Sequence, residues 1–169
     1  SFFADKMQPV VDELREKGLL VESRGAQVVD LEEYNMAPCM ILKSDGTSLY
    51  ATRDMAAATY RKTTYDFYKC LYVVAYQQNL HFKQFFKVLE LMGKEWAKDL
   101  VHIPYGTMSM GGEKLASRTG NIVLLDDLFD DAIEKAEKII EEKNANIADK
   151  RKVAEAVGVG AIVFWTLSG

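Results

Sequence analysis

The groups best placed to do chemistry are the polar cluster Gln77-Gln78-Asn79 and the histidine that follows it, His81. Their position gives them this status. The run Leu71-Tyr72-Val73-Val74-Ala75 is almost unbroken in its apolarity and predicts a β-strand buried on both faces, as in a parallel sheet covered by helices. Helical spacing begins directly after the amides, through Leu80, Phe82, Phe85, Phe86, Leu89 and Met92, and Gly93 fits a helix C-cap. Strand, polar turn and helix form half of a βαβ unit. The turn lies at the carboxyl end of the strand, where open α/β sheets bind ligands. The same residues also suit a plain turn, with Asn79 as N-cap, Gln77 and Gln78 solvated, and His81 facing water.

Two further groups carry charge in suggestive places. Tyr50-Ala51-Thr52-Arg53-Asp54 leads into a helix containing Ala56, Ala57, Ala58 and Tyr60. Thr52 fits its cap, Asp54 in the first turn suits the helix dipole, and Tyr50 passes as a strand aromatic. If the helix starts near Tyr50, that ring and Asp54 lie one turn apart and can converge on one ligand. Further on, Gly106 to Lys114 contains Gly111-Gly112 and few bulky anchors, which predicts a loop able to change shape. Lys114 and Arg118 then supply two cations, equally at home on a solvated surface. No Ser/His/Asp or Cys/His arrangement is visible. Cys39 and Cys70 lack metal-like spacing and read as reduced, buried thiols of a cytosolic protein.

The elements that must position these groups follow from periodicity. Asp5 to Gly18 predicts an amphipathic helix with Met7, Val10, Val11 and Leu14 on one face. Leu19–Glu22 and Ala26–Leu31 predict a hairpin around Ser23-Arg24-Gly25, and Cys39–Leu42 a second one with Thr47–Tyr50 across Ser44-Asp45-Gly46. Val101–Tyr105 reads as another buried strand. Asp126 and Asp127 open a charged helix through about Lys143, and Ala148–Leu167 is a helix whose apolar later half suits a bundle.

Bulk properties narrow the class. With 169 residues, 49% of them apolar and only three prolines, the chain can build one sizeable core and is not disordered. The formal charge of −4 gives no general electrostatic case for nucleic-acid binding, so such binding would need a local basic patch. No run reaches membrane-spanning length and no signal peptide is seen. The opening Ser1-Phe2-Phe3 and the apolar ending Phe164–Gly169 read as cuts through a longer protein.

Four stretches, taken in order and spacing, match one family. They are Lys43-Ser44-Asp45-Gly46-Thr47 with Tyr50-Ala51-Thr52-Arg53-Asp54; Tyr72-Val73-Val74 with Gln78 and His81-Phe82-Lys83-Gln84; Val101–Gly106; and Lys114–Gly120 with Val123-Leu124-Leu125. The sequence resembles the arginyl-tRNA synthetases, a family of class I aminoacyl-tRNA synthetases, across essentially its whole length. The resemblance implies an α/β fold, the second half of a Rossmann-like (HUP-type) nucleotide-binding domain, followed by helices leading into an α-bundle. On that pattern residues 1–125 are the C-terminal half of the catalytic domain, 126–147 a stem-contact helix with Lys135 or Lys138 as local RNA contacts, and 148–169 the start of the anticodon-binding helices. The family's HIGH signature would precede Ser1, so the fragment alone is expected to be inactive. The alternative is a non-catalytic module that binds tRNA or a protein.

The implied reaction joins arginine to ATP as arginyl-adenylate and passes the arginyl group to tRNA(Arg). ATP is then a substrate carrying Mg2+ on its phosphates, with no tightly bound cofactor, no protein-held metal, no membrane partner and a cytoplasmic setting. By the family pattern Asp54 pairs with the substrate guanidinium, Tyr50 packs beside it and Gln78 holds polar groups of the substrate. Arg53 is assigned a structural part, since a second cation there would repel the ligand. His81 would meet ATP with backbone N–H groups at a helix start, where anions are favoured. Met108 would border the adenine, and Lys114–Gly120 correspond to the KMSKS loop, with Lys114 and Arg118 as catalytic cations. The chain departs from the pattern at Leu115 and Ala116, which replace a Met-Ser pair, at Ser117, where a second lysine often stands, and at Ala75, where glycine is usual.

Overall fold

The computed structural model describes residues 2–106, 109–110, 113–114, 124–144 and 146–168, with backbone alone at 109–110 and 113–114. Contacts divide the chain into two units, Ser1–Ile103 and Pro104–Gly169.

In the first unit, helix α1 (Ala4–Glu16) buries Val10, Val11 and Leu14 along one stripe and is followed by Gly18 at φ +66°. Strands β1 (Leu20–Ser23) and β2 (Ala26–Val29) pair antiparallel, Leu20 opposite Val29 and Ser23 opposite Ala26. Their two-residue turn places Arg24 at φ 51° and Gly25 at φ 79°. This is the left-handed geometry that matches strand twist in tight hairpins. Strand β3 (Cys39–Leu42) adds antiparallel to β2, with an irregularity at Gln27/Val28, to complete a three-stranded sheet in the order β1-β2-β3.

The second expected hairpin forms but is only one bridge long. The Lys43 N–H donates to the Thr47 carbonyl at 2.9 Å, a single bridge joins Leu42 and Ser48, and helix α2 (Tyr50–Tyr65) begins at once. The reason is local. The Ile41 carbonyl accepts the Leu49 N–H at 3.2 Å, the last hydrogen bond of the hairpin, and also the Thr52 hydroxyl at 2.7 Å from the first turn of α2. Thr52 is therefore fully buried as a tie between β3 and α2 and is not the helix cap; Leu49 holds that position without a side-chain bond.

Strand β4 (Cys70–Ala75) passes through a 3-10 turn, Tyr76–Gln78, into helix α3 (Asn79–Leu91), as the sequence pattern predicts. Gln78 and not Asn79 occupies the N-cap, and Gly93 at φ +80° follows the C-cap Met92. A short 3-10 segment, Glu95–Asp99, leads to strand β5 (Leu100–Tyr105), which pairs with β4 in a small parallel sheet. Burial of β4 on both faces is not realised. Tyr72 and Val74 pack against the core, but Leu71 and Val73 point to the other side and are exposed. The described helices of this unit cover one face only. Likewise β5 buries Leu100 fully while the following residues are half-buried and Pro104 is exposed. The core proper unites α1, β2, β3, α2 and α3 through Leu14, Val29, Ile41, Met55, Phe85 and Leu89, all fully buried.

In the second unit, β6 (Ser109–Met110) and β7 (Glu113–Lys114) pair antiparallel. Helices α4 (Leu125–Lys143) and α5 (Lys150–Ser168) fall where the periodicity places them, with Asp126 and Asp127 in the first turn of α4. They meet through Ile133, Ala136 and Ala154, with Ile140 alongside. In the later half of α5 Phe164, Trp165 and Leu167 are exposed. Among the described residues no helix is long and apolar enough to cross a membrane.

Candidate active site

The site is built where α2 and α3 face each other. The inner side of α2 is locked by Met55, Ala56 and Ala58, and that of α3 by Phe82, Phe85 and Val88, so side chains at their rims have little freedom. From these rims Asp54 and His81, 27 residues apart, meet: His81 Nε2 lies 2.6 Å from Asp54 Oδ2. An ionised carboxylate only accepts, so the imidazole Nε2–H donates. The carboxylate is 38% exposed and the imidazole 24%. Solvent and ligand can therefore reach the acid, and its Oδ1 has no partner among the described residues.

Aromatic packing fixes the imidazole. Its ring centroid lies 5.4 Å from Phe82 and 5.3 Å from Phe85. Phe82 in turn stacks on His102 of β5, 4.1 Å away at 21°, and His102 Nε2–H donates to the Val74 carbonyl at 2.9 Å. The carboxyl end of β4, the start of α3 and strand β5 are thus tied together under the site. Beside them Arg61 donates to the Tyr72 hydroxyl at 3.2 Å, and burial, ahead of the neighbouring Cys70, holds the Tyr72 phenol above its ordinary titration range. Sequence reasoning misses His102 and Thr52. A histidine inside an apolar strand and a threonine directly before Arg53-Asp54 are the available signals.

Tyr50 is the first residue of α2 and 73% exposed, so the condition for its convergence with Asp54 one turn later is met. Asp54 itself lies beyond the first turn, so the helix dipole does not account for it. The Arg53 guanidinium sits 5.6 Å from the Tyr50 ring centroid. A planar cation therefore already rests on this aromatic face. Gln78 is exposed at the N-cap of α3, three positions before His81 and hence on the same side of the helix. His81 lies in the first turn of this 13-residue helix, the end whose dipole favours anions. Lys114 ends β7, described by its backbone only, and Met108 and Arg118 lie outside the described residues. Among the described residues no group of three or more His, Cys, Asp or Glu is placed to hold a metal ion.

A strand whose carboxyl end enters a helix, with a partly exposed acid beside it, is an arrangement found in α/β nucleotide-binding folds. The architecture is that of class I aminoacyl-tRNA synthetases. It aligns with the Thermus thermophilus arginyl-tRNA synthetase at a TM-score of 0.71 and 23% identity, over 95% of this chain and 33% of that one. The family described as tRNA synthetases class I (R), catalytic domain, matches residues 1–169, and the chain belongs to it. Similar proteins include the arginine–tRNA ligase of Clostridium beijerinckii, 62% identical over 164 residues, which are 97% of this chain and 29% of that protein. The arginine–tRNA ligase of Alkaliphilus metalliredigens is 57% identical over 168 residues, 99% of this chain and 30% of that protein. The chain thus spans about three-tenths of the length of these curated relatives.

Proposed function

We propose that this chain works as part of an arginine–tRNA ligase and supplies its arginine-recognising elements. The observation that carries the reading is the partly exposed Asp54 carboxylate, anchored through Oδ2 and with no partner at Oδ1 among the described residues, with an exposed aromatic ring one helical turn away. A guanidinium has five donors in a planar fork and no acceptor, so it asks for a carboxylate and a flat surface. Tyr50 offers the surface, and the seat that the Arg53 guanidinium takes on it is the kind of contact a substrate guanidinium would make. Gln78, on the same side of α3 as His81, is assigned to the polar groups of the amino acid. A lysine ammonium would leave part of such a fork-shaped site unpaired, which disfavours it.

The reaction needs no protein nucleophile. The carboxylate of arginine attacks the α-phosphorus of ATP, arginyl-adenylate forms and magnesium pyrophosphate leaves; the terminal adenosine hydroxyl of tRNA(Arg) then displaces AMP. The protein contributes alignment and neutralisation of phosphate charge. Lys114 and Arg118 are assigned to the second task and Met108 to the adenine. Residues 126–147 are assigned to the acceptor stem and 148–169 to the anticodon-binding helices.

Arginine-dependent ATP–pyrophosphate exchange, with tRNA present, tests the reading on the full-length enzyme and on this chain alone. Exchange is expected from the first and not from the second. In the full-length enzyme Asp54→Asn should raise the KM for arginine about 10- to 100-fold, since a hydrogen bond to a charged group contributes ~1.5–3 kcal/mol. The KM for ATP should stay within about twofold. Equal losses for both substrates sink the assignment of Asp54.

A further inference from the structure

We infer that His81 is a positioning residue for the guanidinium-binding carboxylate and not a contact to ATP, an inference that rests on the arginine reading of Asp54. The strongest interaction of its imidazole among the described residues is with an acid: Nε2–H is engaged by Asp54 Oδ2 at 2.6 Å. Contacts with Phe82 and Phe85, the latter fully buried, prevent the ring from turning to another partner without disturbing the core.

The arrangement fits a planar cation. An aspartate carboxylate at a helix rim rotates about two side-chain bonds, and a ligand that needs one orientation must freeze them on binding. Here His81 freezes them beforehand through Oδ2 and leaves Oδ1 for the ligand. A neutral imidazole suffices, because an imidazolium would neutralise the acid and set a second cation beside the guanidinium. With Nε2 donating, the remaining ring nitrogen of a neutral imidazole is an acceptor, which suits a donor-rich ligand and repels a phosphate oxygen. Cooperation between two helices is needed to hold the acid in this way. It follows that a residue at the nucleotide end of α3 sets the affinity for the amino acid at the start of α2.

Two variants of the full-length enzyme separate packing from hydrogen bonding. His81→Phe keeps an aromatic ring against Phe82 and Phe85 and removes the donor, whereas His81→Gln keeps an N–H at similar reach. In arginine-dependent pyrophosphate exchange with tRNA present, His81→Phe should raise the KM for arginine about three- to tenfold, the scale of one side chain's lost freedom on binding. The KM for ATP should stay within about twofold, and His81→Gln should hold both constants within about twofold of the unmodified enzyme. Added to Asp54→Asn, His81→Phe should cause no further loss for arginine, because the carboxylate it orients is gone. If His81→Phe does not fold, His81→Ala gives the same comparison. An ATP KM that rises as much as or more than the arginine KM overturns the inference, as does an unchanged arginine KM. An unmodified enzyme that fails to exchange with arginine overturns the arginine reading itself; one that exchanges normally beside a silent His81→Phe removes only the role of His81.

Discussion

The two units of the molecule hold their helices by different means. In the first, α2 and α3 are fixed by large side chains that see no solvent, Met55, Phe85 and Leu89 among them, and each touches several elements. In the second, α4 and α5 meet through Ile133, two alanines and the bare backbone at Gly158, with Arg151 reaching Glu137 and Glu155 at the exposed edge, both at 3.2 Å. Exposed ion pairs of that kind contribute little to holding helices together. The difference teaches where a binding constellation can be built. Asp54 and His81 stay within a hydrogen bond of each other because their helices cannot slide past a packed aromatic layer. A seam of small residues gives close approach but few interlocking contacts, and it supports a frame better than a site.

The largest effect expected from this contrast comes from loss of the Phe85 ring. It touches Tyr72, His81, Phe82 and Phe86 at centroid distances of 5.8, 5.3, 5.5 and 4.6 Å. Phe85→Ala should destabilise the first unit by ~3–5 kcal/mol, the range for deleting a buried aromatic side chain. Urea unfolding followed through Trp96, half-buried against Phe67, reads this unit once the other tryptophan is replaced by Trp165→Phe. Ile133→Ala, the matching change in the second unit and read by circular dichroism, should cost about 2–3 kcal/mol, toward the low end for such truncations. If Ile133→Ala costs as much as Phe85→Ala, the contrast between the two units fails.

Smaller in size but sharper in meaning is a pair of glycines on α5. A Cβ at Gly158 would lie 2.9 Å from the Ile133 nitrogen and 3.0 Å from the Ala132 carbonyl carbon and oxygen, all backbone atoms that cannot swing aside. At Gly160 it would meet nothing within 4 Å. Both sites gain helix propensity on changing to alanine, by up to about 1 kcal/mol. At Gly158 the clash outweighs that gain, so Gly158→Ala should destabilise the α4–α5 pair by ~1–3 kcal/mol. Gly160→Ala should raise its thermal midpoint slightly. Equal behaviour of the two variants in thermal melts would mean that the helices do not meet through backbone at this point.

What the sequence discloses of this molecule is governed by range. The strand, turn and helix from Cys70 to Gly93, the hairpin at Arg24-Gly25 and the helices α1, α4 and α5 are written in local periodicity, and the structure has them. The second hairpin stops after one bridge because Asp45-Gly46 between apolar runs signals a turn but does not determine how long a strand follows before a helix begins. The Ile41 carbonyl, paired with Leu49 in the hairpin, also takes the Thr52 hydroxyl and so ties the start of α2 directly to β3. Two-sided burial of β4 rests on an apolar run alone, yet such a run reports what a strand tolerates and not which layers cover it. At the site, the members can be named from the resemblance. That His81 turns to Asp54 depends on how α2 and α3 cross, and no spacing along the chain encodes it.

The smallest effect concerns the two cysteines, both of which lie in the first unit. Burial pushes the Cys39 thiol from 9.0 up to about 12, as expected for a thiol closed into the core with no charge to stabilise its thiolate. Because the native state disfavours the ionised form, this thiol contributes stability that is complete below the unfolded value. That contribution is lost as pH rises from about 9 towards 12. By pH 10 the loss from this group should be on the order of 1 kcal/mol, one unit of differential ionisation. The measurement is the difference in urea-unfolding free energy between pH 8 and pH 10, taken for the unmodified chain and for Cys39→Ala, so that other alkaline titrations cancel. The drop should be shallower in Cys39→Ala. The second unit has no cysteine, and its own pH 8 to pH 10 change, read by circular dichroism on α4 and α5, should not respond to the substitution. A drop that is the same in both proteins would show that water reaches Cys39, and with it that the sheet under α2 is less tightly closed than the placement of Asp54 requires.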